Sequence, residues 1–354
     1  MHNKWLTFFV TLLLALPIVA QERLVWDVDM NVLFNNREGG DEQTPDQTFF
    51  FTRLTAKGGV EFTTDFAAHR IMGGASWYQP VNDRLDGYKV LPALYYQFTR
   101  SNTSLAMGMV PLVRELPTYL WSDSMSYCTP HVRGVVVDWH TTRSQFRAML
   151  DWRQLRSHTR REAFNVLVSG QWNFHRHWGV GGFAQYNHLA KRYDAPEGEC
   201  VVDDGTVNPL FFYDNNDSRV RVRANAGAII QLQRDRGDHK WHTPCGFIGT
   251  ARVAWRKFEA SEMLFVGKDL FPLYDRYGSE LNLGDPYFRS KTYSRTDVRA
   301  HIVQNRHVDL SAVLTLHAND RTTGFWQQLS CRFFIDQNHN RKNTTLNNLC
   351  QPAF

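Results

Sequence analysis

The sequence predicts an all-β fold: a single up-and-down antiparallel transmembrane β-barrel of about fourteen strands, with short periplasmic turns and long external loops. Three observations predict it. An apolar leader opens the chain, segments that alternate apolar and polar residues recur along its length, and the connections between them alternate between short and long.

The leader is residues 1–20. MHNK supplies a basic residue, WLTFFVTLLLAL an uninterrupted apolar stretch, and Pro17 precedes the Ala20/Gln21 junction, the arrangement of a secretory signal peptide. Its apolar run falls short of the ~20 residues that a spanning helix needs. The barrel is then expected over residues 21–336, followed by a polar C-terminal tail at 337–354.

Strands are expected near 23–35, 48–63, 68–79, 88–100, 103–113, 131–141, 144–156, 162–174, 177–192, 218–234, 245–258, 291–304, 307–318 and 323–335. In the second, Phe50, Leu54, Ala56, Val60 and Phe62 oppose Arg53, Lys57 and Glu61. In the seventh, Phe146, Ala148, Leu150 and Trp152 oppose Arg147, Asp151 and Arg153. In the tenth, Val220, Val222, Ala224, Ala226, Ala228, Ile230 and Leu232 oppose Arg219, Arg221, Arg223, Asn225, Gln231 and Gln233. The last two form a hairpin: Leu310, Ala312, Leu314 and Leu316 share a face, as do Phe325, Leu329, Cys331, Phe333 and Ile335. An apolar face turned to lipid leaves the charged face to line a lumen. The reverse arrangement costs about 2 to 4 kcal/mol for each base near the midplane.

Long or polar connections at 114–130, 193–217 and 259–290 are separated by short ones at 142–143, 175–176 and 305–306. A membrane barrel sorts its loops this way, with tight turns on the periplasmic side. Trp26, Phe34, Trp77, Trp152, Trp172 and Trp255 stand toward strand ends, as interfacial girdles would.

The stretches VLFNNREGG, HRIMGGASW, RGVVVDWHTTRSQFRAMLDWRQLRSHTRREAF and GDPYFRSKTYSRTD resemble an uncharacterised group of outer-membrane β-barrel, porin-like proteins of Bacteroidota. The resemblance implies an integral outer-membrane barrel and brings with it no catalytic or binding residue. Phe333, Phe334 and Phe354 are the candidate terminal aromatics for recognition by the barrel-assembly machinery.

Chemistry is sparse. The five cysteines are widely spaced with no Cys-x-x-Cys pair, which signals neither a zinc site nor a disulfide framework. A net charge of +5 without a basic stripe gives no case for nucleic acid. Ser311 and His317 share a face but stand about 20 Å apart along an extended strand, too far to pair. His131, Asp138 and His140 are likewise too spread on one strand to hold a metal. DNNDS at 214–218 and DQNHN at 336–340 offer alternate oxygen donors but lack the glycine and the closing glutamate of a calcium loop.

One constellation remains. If the chain enters from the periplasm, Arg153, Arg219, Arg221, Arg223, Arg252, Arg256 and Arg295 are expected to crowd one outer rim, with Arg53, Lys57, Glu61, Arg147, Asp151, Asp297 and Arg299 as further lumen-facing charges. The reading is a diffusion channel for small solutes with a basic outer mouth, not an enzyme, without cofactor or metal, in contact with outer-membrane lipid and lipopolysaccharide. The alternatives are a non-conducting barrel acting through its long loops, a lipid-modifying barrel enzyme, and a secreted sugar-binding β-sandwich.

Overall fold

A computed structural model describes residues 22–42, 44–81, 88–111, 116–129, 131–216 and 219–337. The expected signal peptide and nearly all of the expected C-terminal tail, including Phe354, lie outside the described residues.

In chain order the strands are β1(Arg23–Glu38), β2(Gln47–Thr63), β3(Ala68–Pro80), β4(Lys89–Arg100), β5(Thr103–Pro111), β6(His131–His140), β7(Ser144–Gln154), β8(Ala163–Asn173) and β9(Trp178–Leu189). There follow β10(Val202–Asn215), β11(Val220–Asp235), β12(Lys240–His242), β13(Cys245–Trp255), β14(Phe258–Gly267), β15(Thr292–Gln304), β16(Val308–Asn319) and β17(Thr323–Asp336). Each is antiparallel to its neighbours, and β1 pairs with both β2 and β17, which closes the sheet. Closure removes the free edges that lipid does not tolerate. It also excludes the β-sandwich.

The wall has sixteen strands, because β12 and β13 are one strand: both follow a single register against β11, from Asp235↔Lys240 through Ile230↔Cys245. The interruption falls at Pro244, which has no N–H to give to the ladder, although its carbonyl still accepts from Gln231 N at 2.9 Å.

Two strands, β10 and β14, occupy segments that the sequence presents as loops. In β10 the turn-forming residues Asp203, Asp204, Gly205, Asn208 and Pro209 hide the alternation. Pro209 is accommodated because its β9 neighbour is Gly182, with φ +148° and only 2.1 Å between a Cβ built there and the Asn208 carbonyl oxygen. In β14 the alternation is broken by Glu262, which faces outward and accepts from Ser294 Oγ at 2.7 Å and Thr296 Oγ1 at 2.5 Å. The two-residue turn before β14 puts Arg256 at φ +52°.

Elsewhere the faces lie as the periodicity indicates. Val220, Ala226, Ile230, Leu314, Leu316 and Leu329 are exposed on the outside, while Gln231, Gln233, Ser311 and Thr315 are buried inside. Connections on one edge are four residues or fewer; on the other they reach from 268 to 291. The apolar core is inside the barrel, where Phe183, Leu210, Phe212, Ile229, Ile248, Phe265 and Tyr293 of the wall meet side chains of two long connections.

Candidate functional site: a lumen crossed by two inward segments

The β5–β6 connection turns into the barrel instead of capping it. Leu120 and Trp121 are fully buried, and a short helix α1(Asp123–Cys128) follows, capped by Ser122 Oγ, which accepts from Met125 N at 3.3 Å. The segment sweeps round the wall. Tyr119 donates to Asn208 of β10, Gln185 of β9 donates to Leu120 O at 3.1 Å, Arg295 of β15 holds Asp123 at 2.8 Å, and Arg53 of β2 donates to Tyr127 O at 3.1 Å.

The β14–β15 connection packs on it from the long-loop side. It carries the helix α2(Tyr274–Leu281) and a 3-10 turn at Pro286–Arg289. Ser122 N donates to Leu283 O and Asp285 N to Thr118 O, both at 2.8 Å. The wall supplies polar anchors: Gln233 takes Leu273 N at 3.0 Å and donates to Asn282 at 2.5 Å, and Arg153 donates to Glu280 O at 2.7 Å. Beneath them the buried Asp204 carboxylate accepts from Asn187 at 2.8 Å, from Gln233 at 3.0 Å and from Gln231. Such a network is stable in a dry interior only when its members are satisfied, which is why Asp204, Gln231 and Gln233 stand together.

Between the two segments and the β1–β2 connection lies a vestibule cavity of about 200 Å³, bordered by Arg37, Asp123, Tyr274, Asp285, Tyr287 and Trp326. The Arg37 guanidinium carbon lies 3.8 Å from the Trp326 ring centroid and 4.6 Å from that of Phe49. Its Nε and Nη2 are buried with no hydrogen-bond acceptor among the described residues. Burial, with Asp123 alongside, pushes the Asp285 carboxyl up to about 6 against the opposing pull of Arg295 and Arg37.

The seven arginines expected at one rim are divided between the two edges. Arg153 and Arg295 lie toward the long loops. Arg219, Arg221, Arg223, Arg252 and Arg256 cluster at the opposite, short-turn edge. The reason is topological: omitting β10 reverses the direction of the next two strands, and omitting β14 restores it, so β15 alone keeps its expected polarity among these. Arg256 does not line the lumen at all, since its guanidinium carbon lies 5.0 Å from the outward ring of Trp255.

Most inward charges are cross-strand struts. Asp27–Lys57 at 3.1 Å, Asp138–Arg147 at 2.6 Å, Asp214–Arg223 at 2.5 Å and Glu61–Arg70 all join residues directly opposite in their ladders. Arg252 meets Glu259 at 2.6 Å, Arg295 meets Asp297 at 2.9 Å, and Asp151 is buried beside Arg133 at 3.4 Å. Arg299 faces inward near Asp309. Among the described residues, Arg219 and Arg221 form no ion pair. Asp214 is therefore a wall residue and not part of a loop ligand set.

Ser311 finds a histidine on the neighbouring strand, a pairing that the periodicity of one strand does not reveal. Its Oγ is 2.9 Å from His301 Nδ1 and 2.5 Å from Asp309, while His301 Nδ1 is itself 2.9 Å from Asp309. A relay needs serine and aspartate on different ring nitrogens, and here both address Nδ1. His317 instead contacts Tyr293 Oη at 2.7 Å and stacks on Tyr287. Among the described residues no three His, Cys, Asp or Glu side chains converge to hold a metal, and Cys128, Cys200, Cys245 and Cys331 are free thiols.

The site depends on residues that single-strand periodicity does not rank: Arg37, Tyr119, Asp123, Asn208 and Asp285. Their signal is local at best, as in Asp285-Pro286, where Asp285 Oδ1 accepts from Tyr287 N to cap the 3-10 turn.

A closed wall of this size, with inward connections from the long-loop edge, decides the comparison with solved structures. The fold is that of an outer-membrane porin. OccK8 (OprE) of Pseudomonas aeruginosa is similar over 88% of this chain and 98% of its own, with a TM-score of 0.57 and 8% identity. OpdK of Pseudomonas aeruginosa, solved with vanillate, matches over 88% and 98% at TM-score 0.54 and 9% identity. OccAB3 of Acinetobacter baumannii matches over 88% and 99% at TM-score 0.55 and 9% identity. No family model and no curated protein sequence matches the chain. Closure, the apolar outer belt and this porin fold make the protein an integral outer-membrane barrel.

Proposed function

We propose that this porin fold works as a diffusion channel for small solutes bearing negative charge, narrowed by its two inward segments. The observation that carries the reading is Arg37: a guanidinium held between Trp326 and Phe49 at the border of the vestibule, with its Nε and Nη2 buried and without a protein acceptor among the described residues. Buried donors without an acceptor favour an anion that supplies one. Arg219 and Arg221 at the far edge carry the same preference to the exit. OpdK was solved with vanillate, a small carboxylate, which is the charge class proposed for this chain. The short stretches shared with porin-like barrels of Bacteroidota agree with the assignment. Lipopolysaccharide and the barrel-assembly machinery are its proposed partners.

Purified protein in a planar bilayer under a salt gradient should give a reversal potential favouring anions. Arg37→Glu, and separately Arg219→Glu with Arg221→Glu and Arg223→Glu, should move it toward cations. Selectivity indifferent to both changes would refute the reading. A second reading is favoured by the packed interior, where Trp121, Phe271 and Phe288 are fully buried between wall and segments. A barrel that conducts nothing with its segments intact would leave that reading, a non-conducting barrel acting through its outer loops.

A further inference from the structure

Six of the seven short turns carry a base in the turn or at its flank. Arg100, Arg143, Arg176, Arg219, Arg256 and Arg306 each belong to a different turn or its flank, and Lys257 follows Arg256. Among the described residues of the short turns themselves, Asp65 is the one carboxylate, and the flanking Glu61, Asp138, Asp214, Glu259 and Asp309 are each paired with a base or a histidine. Ion pairs tie bases at both edges: Arg192 meets Glu199 at 2.6 Å and Arg321 meets Asp41 at 3.1 Å at the long loops, and Arg223 meets Asp214 at 2.5 Å and Arg252 meets Glu259 at 2.6 Å near the short turns.

Two of the short-turn bases point out of the barrel. Arg256 rides 5.0 Å from the ring centroid of Trp255, and Arg100 5.9 Å from that of Phe66; both rings are exposed on the outer wall. Trp255 lies at a strand end and Phe66 in the adjoining β2–β3 turn, where a girdle meets the headgroup layer, so the guanidiniums they carry sit at headgroup depth. Arg100, Arg143 and Arg256 are exposed and form no ion pair among the described residues. The Lys257 ammonium donates to the Ile302 carbonyl at 3.2 Å and forms no ion pair among the described residues.

The geometry points to a collar that binds the phosphates of anionic phospholipid headgroups in the leaflet facing the short turns. An exposed guanidinium on a girdle ring presents its donors sideways to the first lipid shell, where a phosphate accepts them in charge-assisted bonds. Turns spaced around the circumference give a ring of such contacts. This rests on the membrane reading of the barrel, and it is independent of which solute passes through the lumen.

The test uses the full-length mature protein reconstituted in phosphatidylcholine bilayers with a trace of spin-labelled phosphatidylglycerol or spin-labelled phosphatidylcholine. The immobilised fraction of each reports its relative association with the barrel. The wild-type protein should prefer phosphatidylglycerol several-fold. Arg100→Gln, Arg143→Gln, Arg256→Asn and Lys257→Gln combined should bring the ratio close to unity; asparagine at 256 is chosen because it tolerates a positive φ. About 1 M salt, with a screening length near 3 Å, should do the same to the wild type. A ratio unchanged by the four substitutions, or no preference in the wild type, overturns the collar. So does loss of binding to purified cell-wall sacculi in the combined variant with the lipid ratio unchanged, which assigns the bases to cell-wall carboxylates. Should the combined variant fail to fold, Arg100→Gln and Arg143→Gln alone must each lower the ratio. Heat-dependent gel mobility is measured in parallel, and its absence in the wild type would remove the membrane reading itself.

Discussion

Arg295 Nη1 donates to Asp123 Oδ2 at 2.8 Å, joining a wall strand to the helix that crosses the lumen. The two residues are 172 positions apart in sequence. Arg295 also grips Asp297 at 2.9 Å, so it is braced on its own strand while it holds the segment. The tie fixes how far α1 stands from the wall, and in the proposed channel it would set the width left for solutes.

Arg295→Ala should therefore release α1 and leave Asp123 uncompensated beside Asp285. The expected results are a larger single-channel conductance and a loss of about 3 kcal/mol of stability, the lower end for a buried pair deprived of one partner. Asp123→Asn keeps an acceptor and should have the milder effect. Conductance unchanged in Arg295→Ala would show that the segment is held by its apolar packing alone.

A pH response is expected from Asp285. Its carboxyl is raised in the folded protein to about 6, from an ordinary value near 3.8, by burial and by Asp123. The protonated form is thus favoured by the fold. The stabilisation is complete below about pH 4, falls as pH rises, and is lost above about 6; two units correspond to roughly 3 kcal/mol. Amides of 282–289 should accordingly show lower protection factors, relative to intrinsic exchange at each pH, at pH 7.5 than at pH 5, and Asp285→Asn should flatten the difference. An undiminished pH response in that variant would place its origin elsewhere.

The faces of the wall are legible in the sequence because lipid imposes period two over long strands, as in Val220 to Leu232. The strand count is not, and the two omissions have different causes. β10 spends its inward positions on Asp204 and Thr206, which bond to Asn187 and Gln231 of the neighbouring strands, and on Asn208, which holds Tyr119 of the inward segment, so its composition is that of a loop for tertiary reasons. β14 carries Glu262 on the wrong face for a simple pattern. A missed strand also inverts the polarity of every later strand up to the next omission, so that Arg219, Arg221, Arg223, Arg252 and Arg256 are expected at the wrong end. The constriction itself is illegible: contacts such as Tyr119 with Asn208 join residues 89 apart in sequence through a fold that periodicity does not encode.

Neighbouring positions on β11 test the faces directly. Ala226 is exposed outward and Asn225 faces the lumen. Ala226→Arg should impair assembly by about 2 to 4 kcal/mol, the cost of a base near the midplane, whereas Asn225→Arg should be tolerated. Unfolding from lipid vesicles and heat-dependent gel mobility measure the difference. Equal tolerance at the two positions would mean that the outer belt does not face hydrocarbon.

Glu262 provides the converse test, since it is a native charge in the outer belt. It stands opposite Thr296 near the middle of β14, and its two carboxylate oxygens are met by Ser294 and Thr296 hydroxyls on the lipid side of β15. Two neutral donors do not replace the hydration of a carboxylate, so its position costs free energy in a bilayer. Glu262→Gln keeps an oxygen acceptor and removes the charge. It should raise the free energy of unfolding from lipid vesicles by about 1 kcal/mol, below the cost of a base because acids on the lipid face cost less. Glu262→Leu should gain less, because it also strips both hydroxyls of their acceptor. A loss of stability in Glu262→Gln would instead require that the carboxylate be matched by a cation from outside this chain, and would make the outer face of β14 and β15 a protein contact.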